Sequence, residues 1–315
     1  MELREMRVFV GIAEAGSFST AARELGLSQS ALSQTVSSLE RRLETRLLIR
    51  TRTGVHPTET GQLLLAEARA VLNRHDRALN ALTRKVDGDE RTLRLGLPLD
   101  LPPSLFSKPF AVLESTFPGT RVTVRHLPQV IRESALRTGA LDIGLMHGRP
   151  SGDDLDCLLV LDEPMGVVIA ARHAARLAGP DGVPLDALAG LEWVGFPRHD
   201  APGFHDEVAA VLRNHGLDAG KPDPLADSDS RLLIPEVRFA ALASGHGFSL
   251  APPHVVRQIP DFLTWCPLTG SPVARRTWAA WPAACQRRDI GHFVAAFDVP
   301  ERAGAWPEPA ARTAA

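Results

Sequence analysis

The chain has 315 residues, of which 44% are hydrophobic and 23% are charged. These proportions are those of globular domains, so they exclude a disordered or fibrous protein, and the length allows about two domains with a small third module. The formal net charge is −2, but residues 1–88 carry 13 basic and 10 acidic residues, whereas residues 89–315 carry 22 and 27. A polyanionic partner is therefore expected to meet the N-terminal third.

The composition also bears on the compartment. Cys157, Cys266 and Cys285 are too few and too scattered for a disulfide framework or a zinc cage, which favours a reducing compartment. The N-terminus is charged and lacks an apolar targeting segment, and no window approaches the ~18 apolar residues of a membrane span. We expect a cytoplasmic protein without membrane association. A redox role for Cys157 and Cys285 is left open.

The first 60 residues predict three short helices. A first helical run ends at Gly16, a second is predicted from Thr20 to Leu25, and Ser28 is placed to cap a third. The third helix has one apolar face, formed by Leu32, Val36, Leu39 and Leu43. Two helices joined by a short turn containing glycine are typical of a helix-turn-helix.

The other face of the third helix carries small or amide side chains, as reading of the DNA major groove requires. Residues 47–56 predict a basic β-hairpin, a wing whose arginines can neutralise phosphates. A solvated polar face would look the same on an isolated helix, but the neighbouring elements favour DNA binding. The predicted DNA contacts are Ser28, Gln29, Ser30, Ser33, Gln34, Ser37, Arg41, Arg50 and Arg52.

One long helix is predicted from Thr58 to about Val86, roughly 40 Å in length. Its apolar positions alternate in steps of three and four, with one polar position at His75. They are Leu65, Ala68, Leu72, Leu79, Leu82 and Val86. This heptad pattern predicts a dimerisation helix, in which His75 sets the register.

From Thr92 onward, strand-like and helix-like runs alternate, which predicts α/β architecture with parallel sheets. The predicted strands are 92–97, 121–126, 141–146, 165–170, 191–196, 248–251, 263–268 and 277–281. The predicted helices are 103–117, 129–138, 203–215, 234–244 and 287–297. Asp162-Glu163-Pro164 is interpreted as a break, and the Ala/Pro-rich tail 301–315 as disordered.

Several motifs resemble one family. Residues 13–25 (AEAGSFSTAAREL), 27–33 (LSQSALS), 39–40 (LE) and 57–61 (PTETG) are similar, in order and spacing, to the winged-helix signature of the LysR-type transcriptional regulators. Residues 139–145 (GALDIGL) and 241–248 (ALASGHGF) fit the same family, so the resemblance extends from residue 1 to about 300. The chain departs from the family at Leu43-Glu44, where Leu-Gly is usual, and at Leu48, where Phe is favoured.

The resemblance implies a winged helix at 1–57, a linker and dimerisation helix at 58–88, and an effector-binding domain at 89–300. That domain is expected to resemble a periplasmic binding protein, with lobe I at 91–162 and 268–300 and lobe II at 163–267. A ligand is expected in the cleft, where strand ends and helix N-termini suit an anion. The expected effector contacts are Pro98, Leu99, Asp100, His126, Leu127, His147, Phe196, Arg198, Ser228 and Gly247.

In the first two of these loops, the small hydroxyl residues common in the family are replaced by Pro98-Leu99 and His126-Leu127, which argues against a simple aromatic acid. His126, His147 and Arg198 could bind a carboxylate, whereas Asp100 would oppose one unless it is paired. The pairs His199-Asp200 and His205-Asp206 lack metal-ligand spacing, so no metal and no cofactor is expected.

These features together predict a sequence-specific DNA-binding regulator, a homodimer or homotetramer whose operator binding a small metabolite modulates. Contact with RNA polymerase is left open. The first alternative is a cytosolic solute-binding α/β protein without a regulatory role. The second is an α/β enzyme, for which the sequence offers no nucleophile elbow, phosphate loop or metalloprotease motif.

Overall fold

The computed structural model describes residues 1–52, 54–89, 91–218 and 235–298. They form two compact units: residues 1–88 with 137–139, and the rest of the described chain. Within the described residues, no helix is both long and apolar enough to cross a membrane.

The first unit begins with three helices, α1 (Leu3–Ala15), α2 (Phe18–Leu25) and α3 (Gln29–Leu43). The Ser17 and Ser28 side chains accept hydrogen bonds from the backbone N–H groups of Thr20 and Ala31, and so cap α2 and α3. Because Ser17 is the cap, α2 starts at Phe18, two residues before the predicted start.

The apolar face of α3 packs as predicted at three of its four positions. Leu32, Val36 and Leu39 are buried, but Leu43, which the sequence places on the same apolar face, is 44% exposed. The helix ends at Leu43, and the chain turns away at Glu44 with a positive φ of 51°. This turn leaves Leu43 beyond the core.

The wing is an antiparallel hairpin of β1 (Leu48–Thr51) and β2 (Gly54–Pro57). Glu40 of α3 fixes its start, since one carboxylate oxygen accepts the N–H groups of Leu47 and Leu48 at 2.8 and 3.1 Å. The Val55 N–H donates to the Gly16 carbonyl at 2.8 Å. The wing is therefore tied to α3 and to the end of α1.

The long helix α4 (Glu59–Val86) is capped by Thr58, and its bounds agree with the predicted helix from Thr58 to about Val86. Its apolar stripe is divided. Ala68 and Leu72 are buried in the core of the winged helix, whereas Leu79, Leu82 and Val86 are 51%, 62% and 85% exposed. The first half of the stripe stabilises the unit itself, and the second half is not covered within the described chain.

The second unit contains two sheets with helices packed on them. Its strands are β3 (Thr92–Leu97), β4 (Arg121–His126), β5 (Ile143–Met146), β6 (Leu155–Pro164), β7 (Gly166–Ala170), β8 (Glu192–Trp193), β9 (Gly247–Ala251), β10 (Leu263–Pro267) and β11 (Ala274–Pro282). Its helices are α5 (Ser107–Thr116), α6 (Gln129–Thr138), α7 (Ala171–Leu177), α8 (Pro202–Asn214), α9 (Pro235–Leu242) and α10 (Arg288–Ala295).

Five strands form one sheet in the order β4-β3-β5-β11-β6, and four form the other in the order β10-β7-β9-β8. The chain leaves the five-stranded sheet after β6 and returns to it as β11. Only part of each sheet is parallel, because the returning β11 runs antiparallel to β5 and β6, and β7 runs antiparallel to β9 and β10. The prediction of parallel sheets is wrong for these strands.

The predicted break at residues 162–164 is misplaced, because these are the last three residues of β6, and the break falls between Pro164 and the start of β7 at Gly166. Glu163 lies opposite Arg275 of β11, so this buried charge is paired across two strands. The predicted helix 103–117 starts as a 3-10 turn, Pro103–Phe106, before α5, and α7 was not predicted. The tail 301–315 lies outside the described residues.

Candidate functional site

The first candidate site is the polar face of α3. Ser28, Gln29, Ser30, Gln34 and Ser37 are exposed, and Ser33 is half-buried. The Ser19 hydroxyl donates to Gln29 Oε1 at 3.4 Å, while the Gln29 amide nitrogen has no hydrogen-bond partner in the described chain. A shallow face with unused donors can approach base edges in a major groove.

Basic side chains flank this face. Arg50 lies on the wing with its guanidinium carbon 4.7 Å from the centre of the Phe18 ring, and this cation–π contact holds it against α2. Arg52 and Arg41 are exposed, as predicted phosphate contacts must be. Arg46 is also exposed and borders one shallow groove with Ser37 and Arg41, but sequence reasoning did not select it.

The second candidate site is a cavity of about 290 Å³ in the second unit. It lies where β3, β4 and β5 end and where the loop before α8 and helix α9 meet them. Seven of the expected effector contacts line it: Pro98, Leu99, Asp100, His126, Leu127, His147 and Phe196.

Three expected contacts do not line the cavity in the described chain. Arg198 forms a bidentate ion pair with Asp206, at 2.8 and 2.6 Å, on the surface. The hydrogen bond from Arg198 lowers the pKa of Asp206 to about 2. Gly247 is buried inside the four-stranded sheet, where a Cβ atom would lie 2.9 Å from the Val194 side chain. Ser228 falls outside the described residues.

A buried ion network forms one wall of the cavity. Arg275 donates to Asp100 Oδ2, to the Asp100 carbonyl at 2.9 Å and to Glu163 Oε1 at 2.7 Å. His147 Nε2 lies 3.2 Å from Asp100 Oδ1, and its Nδ1 lies 3.2 Å from the Thr277 hydroxyl. Asp100 is thus paired with Arg275 and His147. This is the condition under which the sequence allows Asp100 to lie in a site that binds an anion.

The network shifts the pKa of each member. Burial acts to raise the pKa of Asp100, but the charge of Arg275 and the hydrogen bond with His147 outweigh it, so the pKa lies well below its usual value. Burial likewise opposes the lowered pKa of Glu163, which His254 and Arg275 cause. Burial and the charge of Arg275 lower the pKa of His147, which favours the neutral imidazole.

Two charged side chains on the cavity wall have no hydrogen bond or ion pair within the described chain. Arg238, on α9, is only 6% exposed, and its Nε is buried without a partner. Burial lowers the pKa of this guanidinium. The Asp200 carboxylate is half-buried, and burial raises its pKa against the opposing charge of Arg132.

Sequence reasoning missed six wall residues that the fold brings in from other elements: Met165, Asp200, Phe204, Arg238, Leu250 and Arg275. Asp200 had been considered only as a metal ligand. A charged residue within an apolar strand pattern, such as Arg275, is one signal that could have indicated a buried role.

A winged helix with a long helix after it, together with a two-sheet α/β unit enclosing a polar cavity, defines a DNA-binding regulator with a ligand-binding domain. Comparison with known proteins agrees. Two protein families match the chain. The family described as "Bacterial regulatory helix-turn-helix protein, lysR family" matches residues 3–62, and the family described as "LysR substrate binding domain" matches residues 87–298. The chain belongs to the LysR family of transcriptional regulators, which favours the regulator over the solute-binding alternative.

Individual relatives support this assignment. The transcriptional regulator BudR of Raoultella terrigena is 28% identical over 301 residues, 94% of this chain and 100% of that protein. The regulator TfdT of Cupriavidus pinatubonensis is 30% identical over 217 residues, 68% of this chain and 93% of that protein. A solved structure of full-length CbnR complexed with its target DNA is 20% identical, covers 94% of this chain and 98% of that one, and has a TM-score of 0.50. This last likeness shows the fold.

Proposed function

We propose that the polar face of α3 reads operator bases while the wing and nearby arginines bind phosphates. The observation that carries the proposal is the exposed Ser/Gln face, bordered by Arg50, which Phe18 holds in place. Gln29 and Gln34 supply paired donors and acceptors for base edges, and the serines allow close approach. The base contacts are Ser28, Gln29, Ser30, Ser33, Gln34 and Ser37, and the phosphate contacts are Arg41, Arg50 and Arg52.

The cavity of the second unit is the effector site in this proposal. Its apolar walls and few polar groups suit a small molecule, and its ligand biases the equilibrium between two arrangements of the regulator. A ligand can do so only if it binds the two arrangements with different affinities.

The assembly is a homodimer or homotetramer. The exposed positions Leu79, Leu82 and Val86 supply an apolar stripe for a second copy of α4, which no part of the described chain covers. CbnR, with the same fold, is complexed with its target DNA; in this proposal the dimer binds two half-sites of its operator and acts in the cytoplasm. The protein acts as a regulator and not as an enzyme.

The test measures binding to genomic fragments selected by the wild-type protein, and to random DNA, across a range of salt concentrations. Arg50→Ala should weaken binding to both DNAs about equally and flatten the dependence of log K on log salt by about 0.9. Gln29→Ala should reduce the preference for the operator by about 1–3 kcal/mol.

Arg176→Ala, at an exposed position on α7, is the matched control and should change neither quantity. Equal losses on both DNAs for Gln29→Ala would exclude it as a base contact, and an unchanged salt slope would exclude Arg50 as a phosphate contact. A wild-type protein that selects no fragment at low salt would contradict the proposal as a whole.

A further inference from the structure

Arg238 is the unusual feature of the cavity, because it is a buried cation without a partner. The residue is 6% exposed, lines the cavity, and makes no hydrogen bond or ion pair within the described chain. Burying a charge without a partner is costly, so such groups are normally paired or hydrogen-bonded. An anion in the cavity would supply the missing partner.

The other cations near the cavity are already engaged or lie elsewhere. Arg275 is bonded to Asp100 and Glu163 through both terminal nitrogens, and only its Nε lacks a hydrogen-bond partner in the described chain. Arg132 is fully buried and does not line the cavity; it donates to the Leu127 carbonyl, while its Nε and one Nη have no hydrogen-bond partner in the described chain. Among the carboxylates, Asp200 has the largest electrostatic effect on the pKa of Arg132, which it raises. His147 stays neutral at ordinary pH because burial lowers its pKa.

Apart from His126, the remaining wall is apolar or acidic. Leu99, Leu127, Phe196, Phe204 and Leu250 surround the space. Phe196 and Phe204 stack with their ring centres 5.5 Å apart and their planes 7° from parallel. The carboxylates of Asp100 and Asp200 also line the cavity, so a second negative charge on a ligand would meet repulsion from them.

We propose that Arg238 anchors the carboxylate of the effector, and that the cavity takes small organic acids with one negative charge and an apolar body. This rests on the proposed function, in which the cavity is the effector site. The anchor is a guanidinium on α9, in place of the hydroxyl side chains that this chain lacks at Pro98-Leu99 and His126-Leu127.

The test uses four probes of equal chain length, hexanoate, hexanamide, adipate and 6-aminohexanoate, with calorimetry on the full-length protein. Hexanoate should bind with a Kd in the range of about 0.1–10 mM. Hexanamide and adipate should bind at least about tenfold more weakly, because one lacks the charge and the other brings a second. The proposal would be overturned if hexanamide or adipate bound as tightly as hexanoate, or if 6-aminohexanoate bound more tightly than hexanoate. The absence of saturable hexanoate binding would also overturn it.

Arg238→Met should weaken hexanoate binding by roughly ten- to a hundredfold, and Arg238→Lys should restore part of the affinity because it keeps the charge. A ligand anchor also makes a prediction that a structural arginine does not: without ligand, Arg238→Met should raise the Tm, since it removes a buried charge that the attraction of Asp100 offsets only in part and that no hydrogen bond or ion pair of the described chain satisfies. The control Arg176→Met should leave both quantities unchanged. A lowered Tm, or unchanged hexanoate affinity in Arg238→Met, would overturn the assignment.

Operator binding by the ligand-free proteins separates this proposal from the regulator proposal. Arg238→Met should bind selected DNA like the wild-type protein, because α3 and the wing are unchanged. If the wild-type protein binds hexanoate but selects no operator, the proposed function fails and the assignment of Arg238 stands. If the wild-type protein selects an operator but does not bind the four probes in the expected order of affinity, the assignment of Arg238 fails and the proposed function stands.

Discussion

Replacement of Arg275 tests whether the buried ion network stabilises the second unit. Arg275→Met removes the only cation bonded to both Asp100 and Glu163 among the described residues, and leaves two buried carboxylates without it. Two charge-assisted hydrogen bonds and one to the Asp100 carbonyl are lost, against which the apolar Met side chain gains some packing. We expect the free energy of unfolding at pH 7 to fall by about 3–5 kcal/mol, as for other broken buried pairs.

The pH dependence has a definite sign. In the wild-type protein, the pKa values of Asp100 and Glu163 are lowered by folding. Their contribution to stability is therefore present at neutral pH and is lost as the pH falls below about 4. In Arg275→Met each carboxylate loses the cation and keeps only its histidine neighbour, so we expect both to take up protons at higher pH than in the wild-type protein. The difference between variant and wild type should therefore shrink as the pH is lowered from 7 toward 5.

Tryptophan fluorescence during urea unfolding measures this effect on the second unit alone, because all five tryptophans lie between residues 193 and 306. The control is Arg276→Met on the same strand, where the side chain is 53% exposed and lies 3.5 Å from Asp162. Exposed pairs contribute little, so this control should change the free energy of unfolding by less than about 1 kcal/mol. Equal effects of the two variants, or a loss that does not depend on pH, would refute the reasoning.

Three further predictions concern the first unit. Leu79→Asp places a charge in the exposed stripe of α4 and should reduce the molar mass measured by light scattering to that of a monomer; an unchanged mass would place the dimer contact elsewhere. Gly61→Ala puts a Cβ atom 2.0 Å from the Leu47 carbonyl oxygen, so it should speed amide hydrogen exchange in the wing and destabilise the unit by about 1–3 kcal/mol, whereas unchanged exchange would show that the backbone can yield. Glu44→Gly relieves a positive φ of 51° and should slow exchange in α3, stabilising it by about 1 kcal/mol; Glu44→Ala, which keeps a Cβ, should not.

Local signals in the sequence were enough to predict the first unit. The capping residues Ser28 and Thr58, the left-handed Gly16 and the apolar spacing of α3 act over a few residues, and the structure follows them closely. The exception at Leu43 arises because periodicity does not show where a helix face passes beyond its core. The stripe of α4 shows the same limit, since spacing alone does not say which half packs on the chain's own core.

The cavity could be predicted only in part, because its wall comes from distant positions in the chain. The loops after β3, β4 and β5 follow from strand order, and they supply seven of the expected residues. Arg275 and Arg238 come from elements that meet these loops only through the fold. The pairing of Arg275 with Glu163 also explains why a charged stretch ending in proline, which predicted a break, still forms the last residues of strand β6.

The unpaired charge of Arg238 links stability to ligand binding. If the cavity is empty, the folded protein bears the cost of a desolvated cation, and an anion removes that cost when it binds. The ligand should therefore stabilise the second unit by more than its apolar contacts alone would give, and the stabilisation should grow with the logarithm of ligand concentration relative to Kd. The same cost gives specificity, since a neutral molecule of equal shape leaves the guanidinium unpaired. A cavity of this kind can distinguish an acid from its amide although nearly all the surrounding contacts are the same.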